Sequence, residues 1–187
     1  MSLASVRTKE GILEAARKEF AAHGLAGARV DRIAHAAGAN VQRIYAYYSD
    51  KQGLFDAVVD DAAEDLAAAI GSPANLPAFA LVVFDYITQN PDNTRTMMWA
   101  RLEREDEFFR RMGARANGPT LISVVAGLQD AGLVTTRWDA TAIVEALIAL
   151  CERWHSRAQK NDPEQELAYR ELVVGFARTL AENPTAS

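Results

Sequence analysis

The sequence predicts an all-α fold, and three observations carry that prediction. Apolar residues recur at helical spacing through long alanine-rich stretches. Alternating β-branched segments of the kind that form strands are scarce. Glycine and proline punctuate the chain where the periodic stretches end, as at Gly71, Pro73 and Pro77, at Pro91 and at Gly132. The 187 residues, 49% hydrophobic and 24% charged, are globular in composition and long enough for one large or two modest domains. There is no internal repeat or low-complexity tract.

Taken in order, the first helix is expected over about residues 6–23, with Ile12, Leu13, Ala16 and Phe20 on one face to cover the next two helices. Residues 29–51 read as two short helices joined by a tight turn. Val30, Ile33, Ala34 and Ala37 form the apolar face of the first. Gly38 supplies the φ > 0 residue that ends it. Asn40 is placed to cap the second by accepting a bond from a backbone N–H one turn on. Ile44 and Tyr48 give that second helix a buried stripe, while Val41, Gln42, Arg43, Tyr45 and Tyr47 between them are too polar and varied for a core. This is the helix-turn-helix pattern that reads DNA.

A long helix is expected next, from Lys51 to about Ile70, with Ser49 and Gln52 at capping-box spacing. It joins the head to the body and is the natural lever between them. Beyond the break at 71–77, a buried helix carries Phe79, Val82, Val83, Phe84 and Tyr86 over residues 77–89. The Asn90-Pro91-Asp92 junction starts another, carrying Met97, Met98, Trp99 and Leu102. Residues 104–118, charged and glycine-punctuated, read as an irregular or frayed connection. An apolar helix comes next over 120–131, and two long helices finish the chain at about 139–159 and 163–182.

The net charge of −5 hides an asymmetry. Residues 1–55 hold eight Lys/Arg (Arg7, Lys9, Arg17, Lys18, Arg29, Arg32, Arg43, Lys51) against five Asp/Glu, whereas the remainder holds twelve against twenty. A basic N-terminal module on an acidic body keeps contact with a polyanion local. The uncharged run 66–84 is broken by glycine and proline, so it is no membrane span. No signal segment opens the chain, and the single Cys151 lies in an apolar helical run, so a soluble, cytoplasmic protein with a buried structural thiol is expected. His23 and His35 read as surface or capping residues.

Residues 12–55, about a quarter of the chain, resemble the DNA-binding domain of the TetR family of bacterial transcriptional repressors. Ile12-Leu13, Ala15-Ala16, Phe20, Gly24, Gly27, Val30, Ile33-Ala34, Ala37-Gly38, Tyr45, Tyr48, Lys51, Leu54 and Phe55 carry the resemblance. It implies a three-helix DNA-binding domain at 1–50 and a helical effector-binding and dimerisation domain at 51–187. Two departures stand out. Arg29 occupies a position where the family usually has a capping Thr or Ser, and an arginine cannot cap by accepting a bond. Gln42 replaces a usually small residue, so it must point at base edges or lift the helix slightly from the duplex.

The expected DNA contacts are Asn40, Val41, Gln42 and Arg43 at the base edges, with Arg29, Tyr45, Tyr47 and Lys51 on phosphates. In 142–151 only Glu145 is charged, so that helix must be covered on more than one side. Leu172, Phe176 and Leu180 form a four-spaced ridge beside Gly175, which admits a close helix. Ile143 and Leu147 join them as the expected homodimer interface, and a four-helix bundle with a symmetry mate is what the resemblance implies. A twofold dimer suits two half-sites of a near-palindromic operator.

Phe79, Phe84, Tyr86, Met98, Trp99 and Trp154, with Arg101 and His155 as polar groups, are the expected lining of a pocket for a small, largely apolar effector. Enzyme chemistry has little support. Glu152 and His155 have the Glu-x-x-His spacing of di-iron bundles, but no second copy exists. No cofactor, metal or catalytic residue is expected. A ligand-independent helical interaction protein and a ferritin-like metalloenzyme are the rival readings.

Overall fold

The structure is a computed structural model in which residues 3–113, 120–156 and 162–181 are described. These form ten helices and no strand. The chain divides into two compact units, Met1–Glu64 with Pro91–Ala114, and Asp65–Asn90 with Arg115–Ser187.

The first unit contains α1 (Leu3–Gly27), α2 (Val30–Ala36), α3 (Val41–Tyr48), residues 51–64 of α4 (Lys51–Ile70), α6 (Pro91–Glu103) and α7 (Glu105–Gly113). Its core is built as the apolar spacing predicts. Ile12, Ala16 and Phe20 of α1 are buried with Ile33, Ile44, Leu54, Phe55 and Val58. The Phe20 and Phe55 rings meet edge to face at 4.9 Å. Each such large side chain contributes about 1.5–3 kcal/mol by leaving water.

Three expectations need correction in this unit. The first helix runs past His23 to Gly27, but Gly24 (φ 64, ψ −176) breaks the helical path inside it. The cap of α4 is Asp50 rather than Ser49: the Asp50 carboxylate accepts the Gly53 N–H at 2.7 Å, while Ser49 sits at φ 62 as the end of α3. Residues 105–113, expected to be irregular, are helical. Glu105, Asp106 and Glu107 lie in the first turn of α7 and Arg110 and Arg111 in the last, matching the helix dipole. Arg111 bonds Glu107 one turn back and reaches Asp56 and Asp60 of α4, both at 2.8 Å. Residues 114–118 of that expected connection lie outside the described residues.

The second unit holds α5 (Leu76–Gln89), α8 (Leu121–Asp130), α9 (Ala140–His155) and α10 (Pro163–Ala181). Side-chain oxygens of Asn75, Thr120 and Asp139 cap α5, α8 and α9 by accepting the N–H three residues on. The core joins Phe79, Val83 and Phe84 of α5 to Val125, Ile143, Leu147, Cys151 and Trp154, and to Val173 and Ala177 of α10. Burial pushes the Cys151 thiol up to about 12, with Glu152 adding to the shift, which leaves it protonated and unreactive. The expected ends of the last two helices, at 159 and 182, lie outside the described residues.

Candidate nucleic-acid interface

The α2–α3 pair is shaped by its turn. Gly38 adopts φ 60, which lets the Ala39 N–H return to the Ala34 carbonyl at 2.9 Å. Asn40 then accepts the Arg43 N–H at 2.8 Å and starts α3. Ile44 and Tyr48 are buried and fix which face of α3 points inward. Asn40, Gln42, Arg43 and Tyr45 are consequently exposed, whereas Val41 packs half-buried against the core. The polar face is therefore presented by the same spacing that buries the apolar one.

Two of the remaining expected contacts, Tyr47 and Lys51, are tied into the fold. The Tyr47 hydroxyl is 2.8 Å from that of Ser5 on α1. Lys51 is half-buried, and its ammonium donates to the Ala26 and Ala28 carbonyls at 3.4 and 3.2 Å. An ammonium has three donors, so one remains for a phosphate. His23 and His35 are exposed.

Arg29 is exposed and its side chain caps nothing, as the sequence requires. A neighbouring group does the work. Glu19 of α1 accepts the Arg29 N–H at 2.8 Å and also the Arg32 Nε–H at 2.8 Å. Partial burial pushes the Glu19 carboxyl up, but the bonds from Arg32 and Arg29 and the charges of Arg32 and His23 outweigh it and hold the group below its usual value. Glu19 lies 10 residues before Arg29 in sequence, outside the reach of any local capping pattern. The helical phase of α1 is the one sequence signal that could find it.

The expected effector set is divided between the units. Phe79, Phe84, Tyr86, Trp154 and His155 are buried in the second. Met98, Trp99 and Arg101 belong to the first, where the Trp99 indole donates to the Ala21 carbonyl at 3.3 Å. Tyr169, absent from the expected lining, completes an aromatic group in the second unit. Its ring centroid is 5.2 Å from Trp154 and 6.2 Å from Phe84, and its hydroxyl donates to the Leu150 carbonyl at 2.8 Å. The four-spaced Tyr169, Val173 and Ala177 are the sequence signal that marks it.

The expected dimer set also separates. Ile143 and Leu147 are 2% and 0% exposed, enclosed by their own unit, so they offer no surface to a second chain. The reason is that α9 turns them into the core it shares with α5, α8 and α10 and presents Ala142, Glu145, Ala146 and Ala149 outward. On α10, Val173 and Ala177 face inward while Leu172 and Phe176 are 53% and 37% exposed. Leu180 is half-buried, and a Cβ at Gly175 would meet open space. Among the described residues no helix is long and apolar enough to cross a membrane.

Comparison with known proteins agrees with this geometry. Residues 12–58 match the bacterial regulatory proteins of the tetR family, and residues 75–178 match the tetracyclin repressor-like C-terminal domain. The chain is 34% identical over 155 residues to the HTH-type transcriptional repressor SCO4008 of Streptomyces coelicolor, covering 76% of each protein. The structure of SCO4942 from the same organism superposes with a TM-score of 0.75 at 30% identity, covering 95% of this chain and 99% of that one. AibR, solved in complex with isovaleryl coenzyme A and operator DNA, shares the fold with a TM-score of 0.67 at 15% identity, covering 91% of this chain and 97% of that one. With the helix-turn-helix, both halves of the family pattern and a relative above 30% identity in place, the chain belongs to the TetR family of DNA-binding transcriptional repressors.

Proposed function

We propose that this chain acts in the cytoplasm as a twofold homodimer on a near-palindromic operator and leaves it when a small, largely apolar ligand enters the body. Residues 1–50 read DNA in this scheme, and residues 51–187 carry dimerisation and ligand control. The observation that supports it most is the first turn of α3, where Asn40, Gln42 and Arg43 are exposed above the buried Ile44 and Tyr48. Arg43 suits a guanine edge, Gln42 an adenine, and Val41 a thymine methyl. Arg29, Tyr45, Tyr47 and Lys51 hold phosphates.

Leu172 and Phe176, exposed on α10 beside Gly175, support the second copy. Phe84, Trp154 and Tyr169 support an apolar ligand, since aromatic side chains between helices are the usual lining of such sites. The fold of AibR accommodates both a ligand and an operator. Control requires a ligand that prefers the conformation in which two heads no longer match the half-sites. Selection from a random DNA pool should return a near-palindrome. Titrating an apolar ligand by tryptophan fluorescence, with and without that operator, should give two affinities differing by roughly 5–150-fold. Recovery of no common sequence would end the reading, and equal affinities would end its ligand arm.

A further inference from the structure

In an uninterrupted helix the Leu25 N–H would donate to the Ala21 carbonyl. Gly24, at φ 64 and ψ −176, breaks the path of α1 between them, and both groups are taken up by α6. Arg95 Nε and Trp99 Nε1 donate to the Ala21 carbonyl at 3.1 and 3.3 Å. Glu103 Oε2 accepts the Leu25 N–H at 2.8 Å, and Oε1 accepts the Ala26 N–H at 3.4 Å. Arg95, Trp99 and Glu103 are four apart, so they form one ridge of α6, and all these groups lie in the same compact unit. A Cβ at residue 24 would stand 2.8 Å from Glu103 Oε1 and 2.9 Å from Trp99, so glycine is needed for the ridge to approach as well as for the dihedral.

The segment that α6 grips leads directly into the helix-turn-helix. From the other elements, Lys51 holds the Ala26 and Ala28 carbonyls, and Glu19 and Arg32 hold the Arg29 N–H and the Gly27 carbonyl. Of these contacts, those from α6 alone come from outside residues 12–58, the part that matches the family's DNA-binding half. We propose that Glu103 is a positioning residue for DNA recognition: by holding the Leu25 and Ala26 amides it fixes where α2 starts and hence how α3 is presented. Glu103 touches no DNA in this scheme. The inference rests on the reading of α3 as the recognition helix.

The sign of the effect separates positioning from mere proximity. Removing a bystander carboxylate near a polyanion leaves affinity unchanged or raises it. Losing a positioning bond lowers it. For the operator selected by the parent, Glu103→Ala should bind about tenfold more weakly, the scale of one charge-assisted hydrogen bond. Its base preferences and salt slope should stay those of the parent, because no base or phosphate contact is lost. Amide exchange at Leu25 and Ala26 in the free protein should accelerate. Glu103→Gln also removes the charge but keeps an acceptor for Leu25, so it should recover most of both properties. Glu103 is exposed, so neither change disturbs the core. Operator binding by Glu103→Ala at or above the parent's level would overturn the positioning role while leaving the α3 reading intact. So would a Gln variant that behaves like the Ala variant. A parent that selects no DNA sequence would overturn both.

Discussion

Both units bury an apolar core, but they differ in what else joins their helices, and the difference bears on the role proposed for each. In the first, ion pairs join one helix to another, Glu19 with Arg32, Arg111 with Asp56 and Asp60, and Arg17 with Asp61, while Arg104, between α6 and α7, pairs with Asp56 of α4. In the second, the centre is apolar and aromatic, with Phe79, Phe84, Leu147 and Trp154 buried, and Arg170 pairs with Asp85 at 3.0 Å between α10 and α5. Directional bonds fix orientation, which reading base edges demands. The non-directional packing of the second fixes no such orientation, which suits the ligand entry proposed for it.

The largest expected effect breaks the second unit. Phe84→Ala removes a fully buried ring and should cost about 3–5 kcal/mol of stability by chemical denaturation. A loss below about 1 kcal/mol would mean the aromatic centre is loosely packed, contrary to its burial. Phe176→Arg acts at that unit's surface. It should leave the helical signal intact yet place a charge in the proposed interface, weakening the dimer by about 2–3 kcal/mol. Light scattering should then show a dimer for the parent and a monomer for the variant. A monomeric parent at about micromolar concentration would defeat the interface.

Smaller effects sharpen the picture of the first unit. Lys51→Ala frees the Ala26 and Ala28 carbonyls as well as a phosphate donor. It should cost about 1–2 kcal/mol of stability and flatten the salt dependence of DNA binding by about one unit. Unchanged stability would assign Lys51 to phosphate alone. The smallest effect is that of Glu19. Its carboxyl is held below the ordinary value of 4.5, so the unfolded chain takes up this proton first as acid is added. The stabilisation is complete above that ordinary value and is lost as pH falls through the lowered one. Urea midpoints from about pH 6 to about pH 3 should therefore fall more steeply for the parent than for Glu19→Gln. Parallel curves would show that Glu19 does not hold the start of α2.

Local chemistry is legible in the sequence and tertiary chemistry is not. Gly38, Asn40, Ile44 and Tyr48 act within one or two helical turns, and their spacing alone defines the shape of the motif. Serine at position 49 has the spacing and the acceptor to cap α4, yet Asp50 next to it does the capping. Gly53 shows why spacing is insufficient there: a Cβ would run into the Tyr48 carbonyl, a contact that only the folded junction creates. The size of Trp99 suggests a ligand pocket, but its partner is the Ala21 carbonyl 78 residues earlier. Ile143 and Leu147 look surplus to one chain until the core shared with α5, α8 and α10 is seen to enclose them, and nothing local to α9 signals that cover.

In the proposed function, the exposed first turn of α3 reads bases while the residues around it set position. This division is tested most directly by measuring the base-preference matrix of the parent, Arg43→Ala and Lys51→Ala on one random DNA pool. Arg43→Ala should cost about 1–3 kcal/mol and flatten preference at one base pair of each half-site. Lys51→Ala should weaken every sequence alike and leave the matrix unchanged. A matrix that Arg43→Ala leaves untouched, or that Lys51→Ala rewrites, would contradict the account.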